Sequence, residues 1–470
     1  MTQAVADHLL AQKDAILERL KALLRLPSVS TDPAYAAGMA AARDFLLERL
    51  RALGLSQVQA LEAGGHPALY GEWLGAPGRP TLLIYGHYDV QPPDPLEQWV
   101  SPPFEPTIRE GRLYARGASD VKGSTTIAVE TVGAFLALGG ACPVNIKFFL
   151  EGEEESGSPS LRPLLAKYRR LLAADAVLSA DGGRASTTIP TLNTGARGLC
   201  KLEINLRAAA KDMHSGRYGG AVRNALHEMA RLVATLHDEQ GRIRVAGFDA
   251  DATPLTPRDR ADAAELAADE AAFYASSGAL PHGDPAYSVR ERLTLRPTID
   301  VNGLWGGYTG AGSKTVIPAE AHAKITARLV PGQDPARARD CLVAHLRAHC
   351  PPGVELRFSP PGAGAPASTL PEGHPLLAAA EEVVRATTGR APARARIGGT
   401  LPITGIFQEE LGIDTLMFGF AMPDEDVHAP NEFFRLSSLE EGLRAWPLLL
   451  SRLGQEEAAR FAPWKRPIPA

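Results

Sequence analysis

Three continuous apolar runs, each ending in a cluster of polar residues, constrain the fold of this chain more than any other feature. The runs are "PTLLIYGH" (80–87), "VNIKFFLEG" (144–152) and "DAVLSADGG" (175–183). Unbroken apolar runs are typical of strands covered on both faces, whereas half-exposed strands alternate. The segment "STTIAVETVGAFLAL" between the first two runs is typical of a crossover helix. The pattern predicts a large α/β domain with a mixed, largely parallel sheet flanked by helices.

The pattern changes near residue 194 and changes back near residue 361. "LCKLEINLRA" (199–208) alternates, so that its apolar residues share one face. The same segment contains a second predicted strand and several predicted helices, at 324–330 and at about 222–237, 261–275 and 335–349. Half-buried strands with helices on one side indicate a smaller α/β domain. We therefore predict a large domain of residues 1–193 and 362–470, interrupted by an insertion of residues 194–361.

Charge and cysteine content exclude several classes of protein. The net charge of -5 provides no basic surface for nucleic acid. The four cysteines show no CxxC spacing, so neither a disulfide framework nor a thiolate metal site is indicated. The N-terminal segment lacks an apolar signal core, and we find no run of about 18 apolar residues that predicts a membrane span. We expect a cytoplasmic protein that binds neither nucleic acid nor membrane.

Histidines and carboxylates follow the predicted strands where each strand ends. The three runs lead to His87 and Asp89, to glutamates 151 and 153–155, and to Asp181. Asp120 precedes the crossover helix, and His428 follows the predicted strand "DTLMFGF" (414–420). Ligands of open α/β sheets bind at the carboxyl ends of the strands. Two histidines with several carboxylates at one such edge are a typical ligand set of a two-metal site, with one carboxylate shared.

The sequence resembles the M20 family of di-metal peptidases and amidohydrolases, in particular its carnosinase-like branch, which includes cytosolic non-specific dipeptidases. The resemblance covers nearly the whole length and rests on seven motifs in family order: "GHYDVQP", "LYARGASDVKG", "EGEEESGS", "DMHSGRYGG", "SKTVIP", "RIGGTLPIT" and "HAPNE". It implies a catalytic domain interrupted by a lid and dimerisation domain, and it implies two bound divalent metal ions, Zn²⁺ or else Mn²⁺ or Co²⁺.

The resemblance also implies a role for each polar residue at the strand ends. The ligands would be His87 and Asp181 for one metal, Glu155 and His428 for the other, and Asp120 for both. The other implied roles are Glu154 as general base, Asp89 as the residue that orients His87, and a cis peptide bond after Asp120. Glu151 and Glu153 fall outside the functional pair, and we expect them to be solvated bystanders.

Four further residues are implied in substrate binding or catalysis. His214 in "DMHSGRYGG" would stabilise the oxyanion in the active site of the other subunit of a homodimer. Arg328 lies on the polar face of "KITARLV" and suits a substrate carboxylate. Thr315 and Thr400 match positions that contact substrate in the carnosinase-like branch, Thr315 across the dimer. Threonine replaces the serine usual at position 400, which leaves the pocket size open.

The leading functional hypothesis is metal-dependent hydrolysis of small dipeptides with a free amine and a free carboxylate. Hydrolysis of N-acyl, N-succinyl or N-carbamoyl amino acids is the alternative, because the scissile amide is chemically the same. A non-catalytic scaffold on the same fold would have lost a ligand or the base. All five predicted ligands and the glutamate pair are present, which argues against a scaffold.

Overall fold

The computed structural model describes residues 1–267, 270–360, 362 and 364–468. Within these residues the α-helices are α1 (Thr2–Ala11), α2 (Lys13–Leu24), α3 (Ala36–Ala52), α4 (Gly123–Gly139), α5 (Leu161–Lys167), α6 (Arg169–Leu172), α7 (Ser215–Tyr218), α8 (Ala225–Ala234), α9 (Pro257–Glu265), α10 (Glu270–Ser277), α11 (Val289–Thr294), α12 (Pro335–His349), α13 (Pro375–Thr388), α14 (Pro402–Leu411) and α15 (Leu436–Leu453). The helix predicted at 261–275 includes residues 268 and 269, which lie outside the described residues. Of its described residues, 261–265 belong to α9 and 270–275 to α10, whereas 266 and 267 lie outside both helices.

The strands follow the predicted order along the chain. They are β1 (Ser56–Leu61), β2 (Ala68–Trp73), β3 (Thr81–His87), β4 (Thr107–Arg109), β5 (Arg112–Tyr114), β6 (Asn145–Glu151), β7 (Ala176–Ser179), β8 (Thr191–Ala196), β9 (Gly198–Arg207), β10 (Met213–His214), β11 (Thr298–Gly306), β12 (Val316–Ile317), β13 (Glu320–Leu329), β14 (Glu355–Phe358), β15 (Ser368–Thr369), β16 (Ala393–Ile397), β17 (Thr415–Met417) and β18 (Phe433–Arg435). The three apolar runs that dominate the sequence form β3, β6 and β7.

The chain forms two compact units. Unit 1 comprises Met1–Thr194, Leu370–Ala395 and the chain from Ile403 onward. Unit 2 comprises Gly195–Thr369 and Arg396–Pro402. The insertion that we predicted at 194–361 therefore lies in unit 2 except for Thr194. Unit 2 also contains a short separate segment, Arg396–Pro402, which runs from the end of β16 to the first residue of α14 and which we call the 396–402 loop.

The sheet of unit 1 has the strand order β1-β2-β6-β3-β7-β17-β8. The four strands β6, β3, β7 and β17 pair in parallel, and the outer pairs are antiparallel. Leu82 and Ile84 of β3 share a core cluster with α4 and α15, whereas Tyr85 packs with its ring centroid 5.4 Å from that of Phe407 in α14. Because alternate residues point to opposite faces, helices cover both faces of the sheet. The mixed sheet flanked by helices is confirmed, with the parallel pairing at its centre.

Helix α4 is buried from Gly123 to Phe135. The stretch Ala118–Gly139 is long and apolar enough to cross a membrane, but 83% of its most apolar window is buried inside the fold. Our sequence prediction found no such stretch. The burial is that expected of a core helix, since α4 packs against β3 and α15.

Unit 2 contains a four-stranded antiparallel sheet in the order β11-β13-β9-β14. Alternate residues of β9 are buried, as the sequence pattern predicted: Cys200, Leu202, Ile204 and Leu206. They pack with alternate residues of β13 and with the apolar faces of α8 and α12 in a second core cluster. Arg328 lies on the opposite, polar face of β13.

Candidate metal centre and substrate residues

Three neighbouring parallel strands bring the predicted ligand segments to one edge of the unit 1 sheet. Strand β3 lies between β6 and β7, and His87 at its end is in register with Glu151 at the end of β6. Glu154 and Glu155 follow β6, and Asp181 follows β7. The residues therefore meet for the reason that the sequence indicated, because the carboxyl ends of parallel strands share an edge.

Two overlapping groups of potential metal ligands form at this edge, and Asp120 belongs to both. The groups are His87, Asp120 and Asp181, and Asp120, Glu155 and His428, with the ligand atoms of each group within 4.8 Å of one another. Asp120 Oδ1 lies 3.1 Å from His87 Nε2, and its Oδ2 lies 3.0 Å from His428 Nε2. Imidazole nitrogens and carboxylate oxygens are ligands that Zn²⁺, Mn²⁺ and Co²⁺ accept. The residues present thus fit two divalent ions that share Asp120. The peptide bond after Asp120 is cis, as predicted.

Protons compete with metal ions for this site. Hydrogen bonds with Asp120 and Glu155 raise the pKa of His428 to about 10. Burial alone would lower the pKa of His87, but contacts with Asp120 and Asp89 raise it well above its ordinary value. Burial raises the pKa of Asp181 to about 6. A metal ion must displace the protons that these groups hold, so binding weakens as the pH falls.

Asp89 connects the two ligand groups. His87 Nδ1 lies 3.1 Å from the main-chain oxygen of Asp89 and 3.4 Å from its carboxylate Oδ1, so the closer contact is to the main chain. The other carboxylate oxygen, Oδ2, accepts hydrogen bonds from Ser30 Oγ at 2.7 Å and from the main-chain N–H of Glu155 at 3.0 Å. Asp89 thereby fixes the His87 ring on one side and the backbone of Glu155 on the other.

Glu154 lies beside the two groups without belonging to either. It is half-buried. Burial, together with the charges of Asp181 and Asp120 and against the opposing effect of His87, raises the pKa of its carboxyl group to about 9. At neutral pH a carboxyl group with this pKa holds its proton, and cations bound by the neighbouring residues would lower the pKa toward the range of a general base.

The expectation that Glu151 and Glu153 are solvated is wrong, because both are buried. Glu151 Oε2 accepts a hydrogen bond from Tyr85 OH at 2.8 Å. Glu153 accepts from the main-chain N–H groups of His66, at 2.8 Å, and Ser160, at 3.1 Å. Both carboxylates stabilise the segment that presents Glu154 and Glu155, and neither belongs to the ligand groups.

A buried network of hydrogen bonds fixes the loop that presents Asp120. Glu432 is fully buried, and its carboxylate accepts from the main-chain N–H groups of Gly117 (2.9 Å), Ser119 (2.9 Å) and Asp120 (3.0 Å). It also accepts from Arg116 Nη1 at 2.7 Å. Ser119 Oγ donates to Glu425 at 2.6 Å, which connects this loop to the segment before His428.

In unit 2, the structure brings His214 and Thr315 together. His214 pairs with Val316 across β10 and β12, and the main-chain N–H of Ser215 donates to the oxygen of Thr315 at 3.1 Å. The exposed His214 ring accepts the N–H of Gly216 at Nδ1, 3.0 Å away. In the neutral form of the ring the hydrogen then lies on Nε2, which has no hydrogen-bond partner among the described residues.

Arg328 and Thr400 form a second cluster in unit 2. Arg328 Nη1 donates to Thr400 Oγ1 at 2.7 Å. Arg328 lies on the polar face of β13, between the buried Ala327 and Leu329. Within the described part of the chain, no hydrogen bond or ion pair joins this cluster to His214 or Thr315. The four predicted substrate residues thus form two separate pairs.

Comparison with known proteins identifies the family. The sequence profile of peptidase family M20/M25/M40 matches residues 83–452. The chain belongs to this family. The matched residues include all five candidate ligands of the M20 metal centre.

Individual M20 relatives are similar over most of the chain. The Cys-Gly metallodipeptidase DUG1 of Candida albicans is 28% identical over 465 residues, which cover 94% of this chain and 95% of that protein. The M20 family metallo-carboxypeptidase Sso-CP2 from Sulfolobus solfataricus has a structure with a TM-score of 0.77 at 31% identity, covering 94% of this chain and 99% of that one. The crystal structure of human carnosine dipeptidase 1 has a TM-score of 0.74 at 26% identity, covering 97% and 99%.

Sequence reasoning missed several residues that support the M20 metal centre. Glu432 stands in the motif "HAPNE" and Glu425 in "MPDEDVH", but neither was assigned a role. Their position in the sequence close to His428 could have indicated that they support this part of the site. Ser30, which donates to Asp89, lies far from every motif and carried no signal.

Proposed function

We propose that the protein is a two-metal dipeptidase in which Glu154 is the general base. The observation that carries this proposal is the placement of Asp120, whose two carboxylate oxygens face His87 and His428 in two ligand groups. The names of the Candida albicans and human relatives support a dipeptidase. Zn²⁺ is the metal we expect, with Mn²⁺ or Co²⁺ as functional replacements.

Two ions bound in these groups would activate a water molecule and polarise the scissile carbonyl. Individual residues of the chain have separate roles in this reaction. Glu154 takes a proton from the attacking water and returns it to the leaving amine. Asp89 keeps the His87 ring and the Glu155 backbone in place. A cavity of about 160 Å³ beside Asp120 and Asp181 leaves room for part of the substrate.

Arg328 and Thr400 would bind the substrate carboxylate. A guanidinium group suits a carboxylate because it can donate two parallel hydrogen bonds. Arg328 Nη1 already donates to Thr400 Oγ1, and no carboxylate among the described residues pairs with Arg328. A terminal carboxylate is the group that a free dipeptide supplies and its amide lacks.

His214 would act in the active site of the partner in a homodimer. Its Nε2–H is an exposed donor, which is what stabilisation of an oxyanion requires. Strand β11 lies at the edge of the unit 2 sheet and, with the residues that follow it, exposes Val301, Leu304, Trp305 and Tyr308. An apolar edge strand of this kind favours association with another chain. A cytoplasmic location stays a prediction.

Hydrolysis of a matched panel tests the proposal. The panel pairs free dipeptides with their N-acetyl, N-succinyl and N-carbamoyl counterparts and with tripeptides, because one relative is called a carboxypeptidase. Metal-loaded protein is compared with a chelated control. We expect metal-dependent cleavage of the free dipeptides. Cleavage of the acylated or carbamoylated compounds alone would overturn the proposal that dipeptides are the substrates. It would favour hydrolysis of N-acyl, N-succinyl or N-carbamoyl amino acids.

A further inference from the structure

Unit 2 contains an almost buried arginine, Arg197, whose guanidinium group, among the described residues, donates only to main-chain oxygens. Nε donates to Gly398 at 2.6 Å, and Nη1 donates to Arg296 at 3.2 Å and Arg292 at 3.4 Å. The residue is 9% exposed. No carboxylate in the described part of the chain pairs with it. A buried charge without an ionic partner is costly, so its position calls for a function.

The strongest of these bonds goes to the 396–402 loop. Besides the bond from Nε to Gly398, the main-chain N–H of Arg197 donates to the oxygen of Ile397 at 3.1 Å. The approach is tight, because a Cβ atom at position 398 would lie 2.5 Å from the main-chain oxygen of Leu293. Arg197 thus fixes two successive residues of the loop that carries Thr400.

Arg197 also adds charge close to Arg328. Arg328 is opposite Leu199 in the β13–β9 pairing, two residues along from Arg197. Burial and the like charge of Arg328 together lower the pKa of Arg197 to about 10, against the opposing effect of Asp300. Two neighbouring guanidinium groups, neither of them ion-paired with a carboxylate among the described residues, favour binding of an anion.

We propose that Arg197 is a positioning residue of the substrate-carboxylate site. It holds the 396–402 loop so that Thr400 stays on Arg328, and its charge joins that of Arg328 in selecting substrates that end in a free carboxylate. The part of this inference that concerns substrate selection rests on the proposed dipeptidase function. The part that concerns the position of the 396–402 loop is independent of that function.

Two variants test the inference, Arg197→Met and Arg197→Lys. The control is Arg339→Met, because Arg339 is a half-buried arginine of the same unit whose Nη2 donates to the main-chain oxygen of Ser359 at 2.6 Å. Steady-state kinetics compare Ala-Leu with its C-terminal amide. Hydrogen exchange followed by mass spectrometry reports on the 396–402 loop without any substrate.

For Arg197→Met we expect KM for Ala-Leu to rise about tenfold with little change in kcat, and discrimination against the amide to fall by about the same factor. Exchange of the loop amides should become at least about tenfold faster, while those of β9 and β13 stay protected. Arg197→Lys should recover part of the discrimination, since lysine restores the positive charge but lacks the planar set of N–H donors of a guanidinium group. Arg339→Met should change neither measurement.

Unchanged discrimination and unchanged exchange in folded Arg197→Met would overturn the inference. If the metal-loaded wild type cleaves no dipeptide, the proposed function fails by itself. The exchange measurement then still decides whether Arg197 holds the loop. Faster exchange of the loop amides with unchanged discrimination between Ala-Leu and its amide would show that Arg197 only holds the loop. That result would overturn its proposed role in substrate selectivity.

Discussion

The main-chain N–H of Asp120 donates to Glu432 at 3.0 Å, so the candidate ligand that the two groups share is held by a fully buried carboxylate. Residues that hold metal ligands in place typically contribute 10–100-fold to metal affinity. We therefore expect Glu432→Gln to weaken binding of Zn²⁺ by about 10–100-fold, because the amide cannot accept at both oxygens. Competition with a chromophoric chelator measures the affinity.

Glu130→Gln is the control for this experiment. Glu130 is also a buried carboxylate of unit 1, and it accepts hydrogen bonds from Arg19 and Arg49. Neither of these arginines belongs to the ligand groups. It should lower stability without changing metal affinity. Equal losses of affinity in the two variants would argue against a specific role for Glu432.

Glu154→Gln should separate proton transfer from metal binding. The change keeps the size of the side chain and removes its basicity, so kcat should fall by about 10²–10⁴-fold. Because Glu154 belongs to neither ligand group, two metal ions per chain should remain bound. Metal analysis of the dialysed protein checks this point. Asp120→Ala is the contrasting variant, and it should lose metal; a Glu154→Gln protein that loses metal equally would show that the residue is a ligand.

His214→Ala should lower kcat by about 10²–10³-fold while both metal ions remain bound, since one oxyanion donor is lost. The exposed His282 of the same unit provides a control, and His282→Ala should have no comparable effect.

Mixed dimers test whether His214 acts across the subunits. A dimer of one His214→Ala and one Glu154→Gln chain would contain one complete site if the histidine acts in trans. Activity should therefore return in part when the two inactive variants are mixed. No recovery, with subunit exchange demonstrated by a tagged chain, would place His214 in its own subunit or outside the site.

His374 should make the fold sensitive to acid. Its ring is buried (1% exposed) and caps α13 by accepting the N–H of Leu376 at Nδ1, and its Nε2 is 3.9 Å from Asp414, too far for a hydrogen bond. Burial lowers the pKa of His374 to about 4. Between about pH 6.5 and 4 the unfolded chain binds more protons at this site, so the stability that His374 contributes above that range is lost as the pH falls.

The loss amounts to about 3 kcal/mol when the pH falls below about 4. Denaturant unfolding of the chelated protein at several pH values measures it. His374→Asn keeps an acceptor for the cap and cannot titrate, so its free energy of unfolding should fall less steeply over this range. Parallel pH profiles for the two proteins would contradict the prediction.

The grouping of the candidate ligands could be predicted because it depends on strand order. Once β3, β6 and β7 are parallel neighbours, His87, Glu155 and Asp181 must reach the same edge. Glu432 and Ser30 could not be assigned in this way, because they act through hydrogen bonds to main-chain groups or to another side chain, which leave no periodic pattern. Glu151 and Glu153 were misjudged for a related reason: a cluster of charges suggests solvent, whereas here a tyrosine hydroxyl donates to Glu151 and backbone N–H groups donate to Glu153 inside the fold.

The 396–402 loop changes how the molecule could be taken apart. The chain passes between its two units after Thr194, Thr369, Ala395 and Pro402, and the last two passages enclose only this loop. Joining residue 194 to residue 370 would keep the loop but remove residues that contact it, among them Arg197, Asp259 and Arg328. Unit 2 is therefore not a cassette that can be excised or exchanged between relatives at a single pair of joints. A successful graft must carry the short loop together with the long insertion.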